Sequence, residues 1–531
     1  MKEILLLNLG RYGDLIQTTP LLRRLKATYP AARVTLVSQK RFCAILPLMS
    51  GFDRSILFDQ DGLTRSLATA EGIPAAYGSL EELMAGVTEV RYDLAVNLTS
   101  SEFSAHFMAL LDSTAVAGKT SDETGTTVVE SPWALYLYSF LRGDSRRYNR
   151  INLSDIFCKM AGLQPDGAPV ELHETPGGHQ CAASFLSGAG SDNRPLVGLQ
   201  LGASDATRCW PVASFARLSD MLQGTGVRTV LLGSPAERPL AEEARALMKH
   251  EPIDAVGKTD IQGLFSLLRH CSLLVSNDTG TMHFAAAGGV PTVMLTVGPA
   301  SFFGTGPLSA GNLALQAPLP CSPCRYDVSC GNPVCRESIT VEAVHNACRL
   351  LLAGGDAEAC DTGPVRLFRS NFDPDGYLEW QSLRNGDVVL EKLTLRYARL
   401  WKKVLGSRFK VQGSECEVQG SRFKVQGSGF NASEPLFPEL VRLTEEGCTV
   451  AQKIVAAARK SPLPRELGPL GEKEAIIESS LRCLAGKTPE LSPLVDFMTI
   501  MKESIAATDL PSIAAATHEI YDLGNRLGRL L

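Results

Sequence analysis

The chain opens on a continuous apolar run, Ile4–Leu9, and then changes period. From Asp14 to about Thr28 the apolar residues recur at helical spacing, with Pro20 near the helix start, where a missing N–H is tolerated. Val34–Val37 is a second apolar run, and Leu94–Leu98 another that ends at Thr99-Ser100-Ser101. Short apolar runs alternating with helical stretches predict parallel strands joined by crossover helices. A second alternation begins near Leu196. It predicts a strand over Val197–Leu201, a helix from Phe215 to Leu222, and a strand over Val227–Leu232 that ends in Gly233-Ser234-Pro235. A helix over Ile261–Leu268 and strands over Leu273–Val275 and Thr292–Val297 follow. Two doubly wound α/β units in succession imply a cleft between them, with ligands held at the carboxyl ends of the strands.

Beyond about Asp356 the pattern changes. Val365–Phe368 and Tyr377–Trp380 flank a Pro374-Asp375-Gly376 turn and predict a hairpin, and Leu390–Val404 predicts a helix. Next comes a near-exact repeat: Gly406–Gln412 returns at Gly420–Gln426, with a degenerate copy at Gly413–Gln419 between them. Gly-Ser in each copy opposes a coiled coil, and solenoid units are longer. The stretch near 405–430 therefore reads as a flexible linker without a catalytic role. Glu434–Lys460, Glu472–Leu484 and Leu494–Leu530 read as amphipathic helices of a small bundle. The expected organisation is a first Rossmann-like domain over 1–175, a second over 176–355, and a mostly helical extension over 356–531.

Length and composition narrow the class. A chain of 531 residues holds two or three domains. Its formal net charge of -5 argues against bulk nucleic-acid binding. No apolar run reaches the length of a membrane span, and Met1–Asn8 is too short in its apolar part for a signal peptide and lacks a cleavage site. The 14 cysteines are scattered apart from one cluster, which fits a reducing cytoplasm better than a disulfide scaffold.

The densest chemistry lies at Ser276-Asn277-Asp278-Thr279-Gly280-Thr281-Met282-His283. It sits where an apolar strand passes into a helix of small residues. Such a turn aims free N–H groups and the positive end of a helix dipole at a ligand, which makes a phosphate site. A carboxylate beside a phosphate cradle needs another partner, and sugar hydroxyls supply one, so the stretch points to a nucleotide-sugar site. In the first unit, Gly10-Arg11-Tyr12-Gly13-Asp14 forms a tight turn that puts Asp14 at a helix start. Out of context that Asp is an N-terminal cap. The glycines do not follow the G-x-G-x-x-G fingerprint, which weakens a dinucleotide dehydrogenase reading. The second unit opens at Leu201-Gly202-Ala203-Ser204, followed by Arg208-Cys209-Trp210-Pro211. Arg208 either reaches a diphosphate or is a solvated side chain beside a packing Trp. Arg142, Arg146, Arg147 and Arg150 either suit a phosphorylated lipid acceptor or make an ordinary charged loop. Cys321-Ser322-Pro323-Cys324 has metal-ligand spacing, and Cys330 and Cys335 lie close by. The four thiols fit either one structural Zn or a set of free or redox-active thiols. No His or open-coordination pattern makes the cluster catalytic.

Taken together, five segments resemble the heptosyltransferase family of glycosyltransferases, family 9. They are Asn8–Pro20, Gly202-Ala203 with Arg208-x-Trp210-Pro211, Gly233–Glu237, Val256–Thr259, and Asn277–Gly280 with Met282-His283. Their order and spacing match over about residues 1–350. The resemblance implies a GT-B fold, the first domain binding acceptor and the second binding nucleotide-sugar. It implies inverting transfer of heptose from ADP-heptose to the lipopolysaccharide inner core, by a cytoplasmic enzyme peripheral to the inner membrane. The partners so implied are the sugar nucleotide and a lipid-linked glycan at that surface, with no nucleic acid. No metal cofactor is required for the chemistry. Asp14 then matches the catalytic base, with Gly13 shaping its turn. Arg208 matches the basic residue of a Lys-x-Trp-Pro motif that stabilises the departing diphosphate; Arg keeps the charge and changes the geometry. Asp278 matches the residue for the donor sugar hydroxyls, and Thr279, Gly280 and Thr281 the phosphate turn. His283 lies one helical turn on, supporting that turn or packed as a structural His. Gly202 lines the substrate site, and Glu237 is placed at the nucleotide ribose. Cys-x-Pro-Cys loops occur in relatives without being essential to transfer. Two other functions remain open: the same fold moving another activated sugar to a surface glycan, and a non-catalytic nucleotide-sugar-binding protein. Intact Asp14, Arg208 and Asp278 argue against the latter.

Overall fold

The computed structural model describes residues 2–140, 145–188, 194–325, 330–354, 360–386, 388–406, 438–458, 467–503 and 510–530. They form two compact units. The first comprises Met1–Thr99, Leu111–Ala115 and Arg150–Glu391; the second comprises Ser100–Leu110, Val116–Asn149 and Lys392–Leu531.

The first unit contains two sheets. In one, the parallel strands β1 (Glu3–Asn8), β2 (Arg33–Gln39), β3 (Arg54–Phe58) and β4 (Leu94–Asn97) lie in the order β3-β2-β1-β4. In the other, β5 (Leu196–Gln200), β6 (Arg228–Leu232), β7 (Ile253–Asp254), β8 (Leu273–Asn277), β9 (Thr292–Thr296) and β10 (Leu313–Gln316) run parallel in the order β7-β6-β5-β8-β9-β10. Two antiparallel strands, β11 (Arg366–Phe372) and β12 (Leu378–Arg384), extend that sheet beyond β10. They are the expected hairpin, and they make residues 360–386 part of the first unit rather than of the helical extension. Every residue of β4, β5, β8, β9 and β10 is buried, as strands covered by helices on both faces require. This is the GT-B arrangement.

Both sheets reverse their winding beside the first strand of the set, between β1 and β4 and between β5 and β8. The loops that leave these strands are Leu9–Arg11, Leu98–Ser101, Leu201–Asp205 and Asp278–Thr279, and all four begin at a switch point, where such folds bind ligands. The single helix expected from Asp14 to Thr28 is two, Tyr12–Ile16 and Thr19–Thr28, with Pro20 at the second position of the latter.

The second unit packs the helices Glu102–Ala109 and Pro132–Ser139 and the antiparallel hairpin Val116–Ser121/Thr127–Glu130 with C-terminal helices. Trp401 is fully buried, its ring centroid 5.7 Å from that of Tyr136 and 4.7 Å from that of Phe497. Pro438–Ala458, Leu467–Lys487, Ser492–Glu503 and Leu510–Leu530 are helical. The last two replace the one long helix expected over Leu494–Leu530. Beyond Gly406, the heptad-length repeat lies outside the described residues.

Candidate active site

Two buried asparagines, each at the end of a switch-point strand, build the site. In the first half, Asn8 donates from Nδ2 to the Asp14 carbonyl (3.0 Å) and to Thr18 Oγ1 (2.7 Å), and its Oδ1 accepts from the Gly10 N–H (2.9 Å). The loop Leu9–Gly13 is thus tied at both ends. Asp14 folds back over it: one carboxylate oxygen accepts the Arg11 N–H at 2.8 Å, and a Cβ at Gly10 would stand 2.5 Å from Asp14 Cβ. Only glycine leaves room for that carboxylate. Burial raises the Asp14 pKa above the usual carboxylate value, and the Arg11 N–H and charge oppose the rise. A carboxyl poised in this way suits a general base.

In the second half, Asn277 does the corresponding work. Its Nδ2 donates to the Leu201 carbonyl (2.9 Å), and its Oδ1 accepts the Trp210 N–H (2.9 Å). The loops that carry Gly202 and Arg208 are therefore anchored to the strand that carries Asp278. Arg208 closes a short 3-10 turn, Ala206–Arg208, capped by Asp205 through the Thr207 N–H (2.8 Å). The Arg208 guanidinium stands 3.6 Å from the carboxylate of Asp278, which is only 7% exposed. Sequence assigned these two residues separately, to diphosphate and to sugar; the fold makes them an ion pair. Thr279 is the N-cap of the helix Gly280–Ala287, whose first N–H groups have no partner within the helix.

A hydrogen-bonded row links the phosphate turn to Glu237. Thr281 Oγ1 donates to Gln200 Oε1 (2.9 Å), and Gln200 Nε2 donates to Glu237 Oε1 (2.8 Å). Glu237 Oε2 accepts from the Ser234 N–H (2.6 Å) and hydroxyl (2.8 Å). Gly202 passes beneath this carboxylate, and a Cβ there would lie 2.0 Å from Glu237 Oε1. Both carboxylate oxygens of Glu237 are thus engaged by Gln200 and Ser234.

The two halves touch where this chemistry meets. A Cβ on Gly13 would stand 3.0 Å from His283 Cδ2 and 3.5 Å from Gly280 Cα, and the Tyr12 ring lies 6.4 Å from that of Phe284. The loop Leu9–Gly13 is docked on the start of the helix Gly280–Ala287. His283 is 3% exposed, and burial draws its pKa down to about 4. It is a neutral ring packed under the turn, and its Nδ1 has no hydrogen-bond partner among the described residues.

The remaining candidates fall elsewhere. Arg150 is a packing residue of the first unit, its guanidinium 4.1 Å from the centroid of the Phe303 ring. Burial lowers its pKa to about 10, against the pull of Glu391 and Glu379. Arg146 and Arg147 lie on the 3-10 turn Ser145–Tyr148 of the second unit, and Arg142 lies outside the described residues. Cys321, Cys324, Cys330 and Cys335 share a neighbourhood, for the Cys324 thiol is pushed up to about 11, first by burial and then by the other three. Among the described residues, however, no group of three or more His, Cys, Asp or Glu is placed to hold a metal ion. No step is assigned to a metal there.

Asn8 and Asn277 lie within the segments quoted from sequence but were given no role there, and Gln200 was read only as part of a strand. The available signal was a polar residue closing an apolar strand, Leu7-Asn8, Leu199-Gln200 and Ser276-Asn277, at places where burial demands hydrogen bonds.

Similarity to known proteins agrees with this geometry. The family model "Glycosyltransferase family 9 (heptosyltransferase)" matches residues 81–333. Lipooligosaccharide heptosyltransferase 2 of Haemophilus ducreyi is 25% identical over 322 residues, 58% of this chain and 86% of that protein. Lipopolysaccharide heptosyltransferase 2 of Escherichia coli K12 is 26% identical over 326 residues, with the same shares. Against lipooligosaccharide heptosyltransferase 2 of Haemophilus influenzae the match is shorter and closer, 36% over 121 residues, and this chain spans 35% of that protein's length. Among solved structures, a family 9 glycosyl transferase from Veillonella parvula shares the fold with a TM-score of 0.53 and 22% identity, over 67% of this chain and 98% of its own. Among the described residues no helix is long and apolar enough to cross a membrane. The family model crosses both halves of the cleft over residues 81–333, so that stretch is similar to the heptosyltransferases of glycosyltransferase family 9, and the chain shares the fold of a family 9 structure over nearly that structure's whole length.

Proposed function

We propose that this enzyme transfers heptose from ADP-heptose to the lipopolysaccharide inner core, with inversion at the anomeric carbon, in the cytoplasm at the inner-membrane surface. The observation that carries the reading is the docking of the Asp14 loop on the phosphate turn, Gly13 against His283 and Gly280, beside the Arg208–Asp278 pair. A base is thereby brought next to an anion site, which is what a direct displacement needs.

The Thr279–Thr281 amides and the N-terminus of the helix Gly280–Ala287 hold the donor's diphosphate. Asp278 accepts hydrogen bonds from the donor sugar while its other face keeps Arg208 oriented. Asp14 takes the proton from an acceptor hydroxyl as that oxygen attacks the anomeric carbon. The bond to the diphosphate breaks on the opposite face, and Arg208 neutralises the charge that collects there. Glu237 and Gln200 shape the wall on the ribose side through their row of hydrogen bonds. The acceptor is a lipid-linked glycan reaching the cleft from the first half.

The test is a donor panel with purified protein and a lipid A-linked inner-core acceptor: ADP-heptose, other ADP-sugars, UDP-sugars and GDP-sugars, followed by nucleoside diphosphate release and product mass. Turnover on ADP-heptose at least about a hundredfold above the others supports the reading. Preference for another base or sugar moves the enzyme to a different surface glycan. Release from no donor, with binding retained, would make it a nucleotide-sugar-binding protein.

A further inference from the structure

Arg208 sits on a short exposed turn, and besides its Asp205 cap and the Asn277 anchor the backbone around it is held by contacts that lead to the cysteine-bearing segment more than a hundred residues further on. On one side of Arg208, Arg336 donates from Nε to the Cys209 carbonyl at 2.7 Å. On the other side, Gly298 presses on Thr207: a Cβ at Gly298 would lie 2.6 Å from the Thr207 carbonyl oxygen, and its φ of 61° is the left-handed conformation that favours glycine. Gly298 is itself gripped by the cysteine loop. Its carbonyl accepts the Cys324 N–H at 3.0 Å, and its N–H points to Cys335 Sγ at 3.4 Å. A further bond from Trp210 Nε1 to the Ile339 carbonyl, at 2.8 Å, completes the attachment. The turn that carries Arg208 is thus braced on one side by Arg336 and Ile339 and on the other by Gly298, itself held by Cys324 and Cys335.

We propose that Arg336 is a positioning residue for Arg208, and that the cysteine loop serves the reaction by holding the leaving-group cation in place rather than by binding a metal. Arg336 is assigned no contact with donor or acceptor. Its hydrogen bond to the Cys209 carbonyl fixes the direction in which the neighbouring guanidinium leaves the backbone, so that Arg208 reaches the diphosphate without a reorganisation step. A guanidinium suits this task because it is charged at every working pH and its fork is rigid. Misplacement of a charge-stabilising group by about 1 Å costs on the order of a hundredfold in rate, so a brace of this kind acts on turnover more than on ground-state binding. The inference rests on the role given to Arg208 under the proposed function.

A double-mutant cycle tests it, with ADP-heptose as donor, ADP as the binding probe, and thermal unfolding measured for each protein. Arg336→Met is expected to lower kcat by at least about tenfold, with KM for ADP-heptose and the affinity for ADP changed by less than about threefold. Arg336→Lys, which keeps one donor within reach of the Cys209 carbonyl, is expected to restore kcat to within about threefold. Because Arg336 acts through Arg208, adding Arg336→Met to Arg208→Ala should lower turnover by less than about twofold further. A full additional tenfold loss in that background would overturn the inference, as would kcat for Arg336→Met within twofold of the unmodified enzyme. If Arg336→Met lowers the melting temperature so far that the folded enzyme is depleted at the assay temperature, the Lys variant decides. A Lys variant that folds normally yet remains as slow as the Met variant overturns the proposal. Turnover of Arg208→Ala near that of the unmodified enzyme would instead sink the reading of Arg208 itself, and the inference with it.

Discussion

Replacing Asp14 with Asn separates its two possible occupations, base and helix cap. The amide oxygen still accepts the Arg11 N–H, now at 2.8 Å to the carboxylate, and the side chain still fits over Gly10. What is lost is proton acceptance. Removing a positioned general base costs about two to four orders of magnitude in kcat, or roughly 3–5.5 kcal/mol of barrier at about 1.4 kcal/mol per decade. Donor affinity should change little, because the donor groups assigned to Asp278–Thr281 belong to the other half of the cleft. Burial raises the Asp14 pKa above its ordinary 3.8, so wild-type turnover should fall on acidification from a higher pH than an exposed carboxylate would give, and the residual activity of the Asn variant should lack that limb. Stability runs the other way. Between the unfolded and the raised folded pKa the native state holds more protons, so stability falls as pH rises through that window, and the ionised carboxylate remains a cost above it. Asp14→Asn is therefore expected to raise the melting temperature at neutral pH and to leave it unchanged well below pH 3.8. Single-turnover kinetics with ADP-heptose and thermal melts across pH measure both. Turnover within a few-fold of wild type would return Asp14 to the role of cap, and a lower melting temperature at pH 7 would refute the desolvation argument.

Asp278→Ala should weaken ADP-heptose more than ADP in calorimetry and should also lower kcat, because the Arg208 guanidinium 3.6 Å away loses its partner; equal loss of both ligands would deny Asp278 a contact with the sugar. His283, held near a pKa of about 4 by burial against an ordinary 6.5, should contribute about 3 kcal/mol of stability above pH 6.5 that is lost as pH falls toward 4, and His283→Asn should flatten that part of the stability–pH curve; an unchanged curve would mean the ring is solvated. Turnover should survive brief EDTA, since Arg208 and the N-terminus of the helix Gly280–Ala287 supply the positive charge at the diphosphate; immediate loss restored by Mg²⁺ or Mn²⁺ would assign the leaving group to a metal.

The alternation of apolar runs and helical stretches carried the strands of both sheets, because parallel strands covered on both faces leave an unmistakable run of buried residues. The half-exposed strand Arg54–Phe58 has no such run and was missed, and the short Leu313–Gln316 was too brief to stand out among neighbouring apolar residues. Of the candidate site, Asp14, Arg208 and Asp278 were named from sequence through the family resemblance. Their mutual arrangement was not: the Arg208–Asp278 pair joins loops that leave different strands, and the Gly13–His283 contact joins different halves of the cleft. The cysteine spacing suggested a ligand set; that the same segment also bonds Gly298 and the Cys209 carbonyl could not be read from sequence, because those contacts join residues far apart in the chain.

The second unit is assembled from pieces that leave the ribosome at very different times. Trp133 donates from Nε1 to the Leu405 carbonyl at 3.2 Å, a bond between residues 272 apart in sequence. At about 5–20 residues per second, the aromatic residues around Trp133 and Tyr136 emerge roughly fifteen to fifty seconds before Trp401 and Leu405 exist to cover them. The whole second sheet of the first unit, from Leu196 to Arg384, is synthesised in that interval. The C-terminal helices are therefore not an accessory that can be cut away. They close a core that an earlier segment has already begun, and until they arrive that segment is the part of the nascent chain most in need of a chaperone.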